Sequence, residues 1–186
     1  MSFEENRIKG VVILPIAGLK NNILEMLTIL PQSENNTKRG EMCPLIPGSI
    51  MEPLAGMSEF PGGAVEENED VLMAARREFE SEARFQLDHT FEDRFSPIFE
   101  DLPVDQQRPH MAYFAVVAGL FRLNETEILA MENMGARRIL VDLANGSVTD
   151  KVVGKEILLR PAHRAIIHYV TSIARSLVNL EEPAYV

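Results

Sequence analysis

Glu59-Phe60-Pro61-Gly62-Gly63-Ala64-Val65-Glu66-Glu67-Asn68-Glu69 opens the decisive stretch of this chain, and Ala74-Ala75-Arg76-Arg77-Glu78-Phe79-Glu80-Ser81-Glu82-Ala83-Arg84-Phe85 closes it. Pro61 and the Gly62-Gly63 pair permit a tight turn and a close backbone approach. The residues after them predict a helix from about Asn68 to Ala83, because Val71, Leu72, Ala75 and Phe79 recur at helical spacing. That helix carries Glu78 and Glu82 at i and i+4, so both carboxylates stand on one face, a turn apart. Two hard oxygen ligands so placed suit Mg²⁺, which keeps several waters and shares substrate phosphates. Loop carbonyls near Gly62 can add a further oxygen. Glu69 and Arg77 lie about two turns apart and are expected to pair, tying the helix entry to its middle.

Outward from this stretch, Gly10–Ile16 and Ile23–Leu30 read as strands, with Asn21-Asn22 as the turn between them. Residues 31–50 lose periodicity and read as a long loop. His110–Leu120 and Arg137–Leu143 are further apolar strands, the second followed by an Asn145-Gly146 turn. Ala162 to about Leu180 reads as the last helix, with Pro161 at its start and Ala165, Ile166, Tyr169, Ile173 and Leu177 on its apolar face. There is no internal repeat and no linker. The order predicts one α+β domain over residues 1–186, an α/β/α sandwich around a mixed sheet.

The bulk properties narrow the function. Hydrophobic residues make up 46% and charged residues 25% of the 186, the balance of a soluble globular protein. No apolar run is long enough to cross a bilayer, and the acidic amino terminus lacks a secretory signal, so no membrane association is expected. Cys43 is the single cysteine, which excludes an internal disulfide and implies a reducing, cytoplasmic setting. The net charge of −10 argues against general nucleic-acid binding. His89, His110, His163 and His168 show no metal-ligand spacing, and surface or capping roles are expected for them. Met111, Met131 and Met134 read as packing residues. Of Arg137 and Arg138, strand alternation lets only one face inward.

By its spacing the decisive stretch resembles the signature of the Nudix hydrolase family, G-x5-E-x7-R-E-U-x-E-E-x-G-U, where U is bulky and apolar. Gly63, Glu69, Arg77, Glu78, Phe79, Glu82 and Phe85 occupy their places in it. Ser81 stands where the signature has a glutamate, and Arg84 where it has a glycine. The resemblance implies a Nudix fold and Mg²⁺- or Mn²⁺-assisted hydrolysis of a nucleoside diphosphate linked to another moiety, such as a nucleotide sugar or an ADP-ribose-like compound. It implies that Glu78, Glu82 and Gly62 hold the metal, with Glu69 and Arg77 in support. A general base is also required. Glu125, Glu127 and Glu132 precede the Arg137 strand, and Glu132 has the favoured spacing. The partner implied is a small nucleotide, and a homodimer is an expectation from the resemblance. The alternative is a Nudix-fold nucleotide-binding or regulatory protein whose catalysis Ser81 has weakened. For Arg84, the expectation is a helix that runs on or a strained left-handed residue.

Overall fold

The Val11-Val12-Ile13 run lies inside the longest strand of the fold, β1 (Ile8–Lys20). A computed structural model describes residues 8–29, 42–44, 51–53, 58–103, 115–157, 159 and 161–172. At Asn21 and Asn22 the backbone takes φ of 53° and 61°, a turn that asparagine tolerates better than most residues. The turn returns the chain antiparallel into β2 (Ile23–Thr28), with Ile16 opposite Met26.

Seven strands form one mixed sheet. β6 (Phe95–Pro103) stands at one end, followed by β7 (Ala115–Arg122), β1, β2, β8 (Arg137–Asp142) and β9 (Val148–Asp150). β1 runs parallel to β7, with Val11 opposite Val117, while the other neighbours are antiparallel. β5 (Gly62–Ala64) also pairs with β1. A separate two-stranded sheet joins β3 (Met42–Pro44) to β4 (Met51–Pro53).

Strand alternation sends two apolar sets to opposite faces of the sheet. Val11, Ile13, Leu27 and Phe121 pack with α1 (Val71–Ala83), α2 (Phe91–Arg94) and α3 (Glu125–Asn133). Val12, Leu14, Leu24, Met26 and Val141 pack with α4 (Pro161–Ser172). The expected α/β/α sandwich is thus present. Phe79 anchors α1, with its ring edge-on to Phe121 at 5.2 Å and to Phe85 at 5.6 Å.

Several local expectations change. α1 starts at Val71 rather than Asn68, because Asn68 is left-handed at φ 66° and Asp70 is the N-cap, accepting from the Met73 amide at 2.8 Å. Its buried face is Ala74, Ala75, Phe79 and Ala83, and Leu72 is exposed. Part of the supposed 31–50 loop is β3, too short to carry a period, and the rest of that loop lies outside the described residues. β7 runs to Arg122, and residues 110–114 of the predicted strand lie outside the described ones. The β6 strand escapes a pattern reading because Pro97 and Pro103 sit within it. As an end strand with register shifts it tolerates residues without an N–H. The apolar face of α4 is His163, Ile166, Ile167 and Val170, while Tyr169 is exposed; Ile173 and Leu177 lie outside the described residues. Met131 is buried as expected, but Met134, just past the end of α3, is exposed.

Candidate active site

Each glycine of the turn answers a different neighbour. In β5, Gly62 stands opposite Val12 and Gly63 opposite Val11. A Cβ on Gly62 would overlap the Val11 carbonyl oxygen, and a Cβ on Gly63 would overlap the Glu78 carboxylate. Gly62 therefore lets the loop close on the sheet, and Gly63 lets a helix carboxylate reach the loop. The Pro61 carbonyl accepts from the Ile13 amide at 2.8 Å, which holds the entry to β5 against β1.

α1 presents Glu78 and Glu82 to this loop from successive turns. The Gly62 N–H donates to Glu82 Oε2 at 3.2 Å. Arg77 Nη1 donates to Glu78 Oε1 at 2.7 Å. The same guanidinium grips Glu69 through both oxygens, Nε to Oε1 at 2.8 Å and Nη2 to Oε2 at 2.9 Å. Arg77 Nη2 also donates to the Ala64 carbonyl at 2.8 Å, and Glu69 Oε2 accepts from the Glu66 amide at 2.9 Å. The expected Glu69–Arg77 pair is thus present, and it fixes both the loop and Glu78. Its hydrogen bonds hold the Glu69 acid down at about 2. The Glu69 carboxylate, with Glu78 next, raises Arg77 above the usual guanidinium value.

The two departures from the signature have separate consequences. Ser81 is exposed on α1 and brings no carboxylate. Arg84 ends the helix in the left-handed region, at φ 61° and ψ 34°, with its N–H donating to the Glu80 carbonyl at 3.0 Å. The helix stops where a glycine would stop it, but with a strained residue.

A divalent cation fits the donors. Among the described residues no three His, Cys, Asp or Glu side chains gather as a protein cage. Mg²⁺ does not require one, since it commonly uses one or two carboxylates with waters and substrate phosphates. The space a Gly63 side chain would fill is taken by the Glu78 carboxylate, so the loop leaves room for that side chain.

The structure does not bring Glu132 into this cluster. Its carboxylate accepts from Arg138 Nε at 2.8 Å, and Arg138 also holds Glu25 at 2.7 Å. Lys151 joins Glu25 at 2.8 Å. Arg138 is therefore the strand arginine with carboxylate partners, and Arg137 is exposed. Glu127 is buried and structural. Arg94 grips both its oxygens at 2.6 and 3.0 Å, and it closes a capping box with Asn124. Glu125 is exposed on the first turn of α3. Asn124 followed three residues later by Glu127 is a legible helix start that the pattern reading passed over. His163, for which a surface or capping role is expected, is buried. Its Nδ1 accepts from the Phe60 amide at 2.7 Å, a contact across 103 residues that no local pattern announces.

The NUDIX domain family matches residues 37–150, more than half of the chain. The chain belongs to the Nudix family. Among solved structures, a MutT/nudix family protein from Listeria innocua is 16% identical with a TM-score of 0.55, the match covering 94% of this chain and 98% of that one. A MutT/nudix family protein from Enterococcus faecalis is 15% identical with a TM-score of 0.51, covering 96% of this chain. This chain spans 64% of the Enterococcus protein, less than two thirds of its length. At these identities the likeness shows the Nudix fold. No curated protein matches the chain. Among the described residues no helix is long and apolar enough to cross a membrane.

Proposed function

We propose that this Nudix protein hydrolyses the pyrophosphate link of a nucleoside diphosphate joined to another group, such as a nucleotide sugar or an ADP-ribose-like compound, with Mg²⁺ or Mn²⁺. The observation that carries the reading is the pair Glu78 and Glu82, aimed at the Gly62-Gly63 loop and oriented by Arg77 and the Gly62 N–H. Glu78, Glu82 and the Gly62 carbonyl are the proposed metal donors. The metal, when bound, supplies Lewis-acid polarisation of a phosphoryl oxygen and a more acidic water. Arg77 keeps Glu78 in place, and Glu69 keeps Arg77 in place.

For the proton acceptor, Glu132 is the residue proposed from its position before the β8 strand; since it stands apart from the Glu78–Glu82 cluster, its use requires both release from Arg138 and movement toward that cluster. Glu132→Gln then lowers kcat about 100-fold; an unchanged kcat removes Glu132 from the chemistry.

The decisive experiment is a panel of nucleotide sugars, dinucleotides and nucleoside triphosphates with Mg²⁺ and Mn²⁺. Turnover that Glu82→Gln abolishes supports the reading. No turnover of any member at high protein concentration overturns it. A second reading, a nucleotide-binding or regulatory protein with weakened catalysis, is favoured by the exposed Ser81 in a carboxylate position. Ser81→Glu separates the two. A large gain from near-zero turnover favours the second reading, and a loss from a working enzyme favours the first.

A further inference from the structure

We propose that His163 is a positioning residue for the active-site loop, acting from α4 on the opposite face of the sheet. The inference rests on the metal-site reading above for its effect on ligand binding. Backbone hydrogen bonds hold residues 58–62 to their neighbours. Glu59 exchanges both backbone bonds with Ile29, at 2.8 and 2.9 Å. Pro61 has no N–H, and its carbonyl takes the Ile13 amide. The Phe60 N–H lies between these two, buried, and a buried donor requires an acceptor. His163 Nδ1 is that acceptor, at 2.7 Å.

The imidazole is itself buried, and it stacks on the Phe60 ring with centroids 5.7 Å apart and an interplanar angle of 21°. An accepting Nδ1 carries no proton, so the ring's proton sits on Nε2. The bridge from Ser58 to Leu159 braces the same junction two residues before α4. Phe60 belongs to the core on the α4 side, whereas Gly63 meets Glu78 on the α1 side. The segment between them therefore crosses from one layer to the other. His163 fixes its near end, and the donor at Gly62 lies two residues further on.

The test uses the full chain, with Mn²⁺ alone as the probe and the Phe60 amide as a second readout. His163→Phe keeps an aromatic ring for stacking and removes the acceptor. His163→Asn places an oxygen where Nδ1 stood, and His163→Gln places it further out, near Nε2. Calorimetry measures Mn²⁺ affinity, and hydrogen exchange followed by NMR measures the Phe60 amide. The expected result is that His163→Phe weakens Mn²⁺ by about tenfold, as loss of an outer supporting bond does, and speeds Phe60 exchange about tenfold or more. His163→Asn restores both to within about threefold of the native chain, and His163→Gln does not. If His163→Phe does not fold, the Asn and Gln variants decide. Native exchange at Phe60 and native Mn²⁺ affinity in His163→Phe overturn the proposal, as does equal loss in Asn and Gln. If the native chain binds no Mn²⁺, the metal-site reading fails by itself, and Phe60 exchange still decides the role of His163.

Discussion

Replacing Arg84 with glycine should stabilise the fold. Arg84 holds φ 61° and ψ 34°, where a Cβ crowds the following carbonyl at a cost of roughly 1–2 kcal/mol. Glycine removes that cost and keeps the N–H bond to Glu80 at 3.0 Å. It also loosens the unfolded chain, which takes back about 0.4–1 kcal/mol. The backbone net is a gain of up to about 1.6 kcal/mol, with about 0.5–1 kcal/mol in the middle of the range. For a domain of this size that raises Tm by about 1–4 °C. Arg84→Ala is the control, since it keeps the Cβ and the strain but removes the guanidinium and its contacts. The difference between Gly and Ala isolates the backbone effect. Urea unfolding at pH 7 with a common slope gives both values. If Arg84→Gly is no more stable than Arg84→Ala, the left-handed strain assigned to this residue is wrong.

Three other outcomes follow from the same geometry. Glu69, held at about 2 in the folded chain against an ordinary value of 4.5, contributes stability that is fully present above pH 4.5 and is lost as the pH falls toward 2. Arg77 is about a third exposed, so solvent screening reduces this to about 1–2 kcal/mol. Unfolding at pH 6 and pH 3 should show that loss in the native chain and not in Glu69→Gln; parallel curves would contradict it. Gly63→Ala drives a Cβ into the Glu78 carboxylate and should weaken Mn²⁺ about tenfold or more. Native affinity in a folded Gly63→Ala would contradict a metal site that depends on this placement of the Glu78 carboxylate. Glu127→Ala breaks a buried pair with Arg94 and a helix cap together, for a loss of about 3 kcal/mol with Mn²⁺ affinity unchanged. Loss of affinity in the folded variant would place Glu127 in the site after all.

How much of the fold and site is legible in the sequence depends on how local each signal is. The i, i+4 spacing of Glu78 and Glu82 follows from helical period, so the sequence alone put them on one face. Glu69 and Arg77 were near enough along the chain for their pairing to be anticipated. The β-branched run of β1, the paired asparagines and the Phe79 anchor are local in the same sense. Local pattern does not fix the start of α1, because Asn68 and Asp70 are both good cap residues and only the backbone angles choose between them. The β6 strand was hidden because prolines are tolerated at an end strand, and being at an end is a property of the assembled sheet.

Sequence by itself determined the family signature, the two carboxylates and the layered architecture, because each is written in short-range spacing and hydrophobic period. Tertiary structure alone decided which buried groups meet. Nothing near Phe60 announces His163, nothing near Glu132 announces that Arg138 takes its carboxylate, and the end of the helix at Arg84 needed a φ that residue type disfavours. Those are choices among partners distant in the chain or among backbone basins, and packing and hydrogen-bond satisfaction settle them. The box from Gly63 to Phe85 therefore names the family, while the folded neighbours of Gly62, Glu78 and Glu82 set how the loop and the helix face each other.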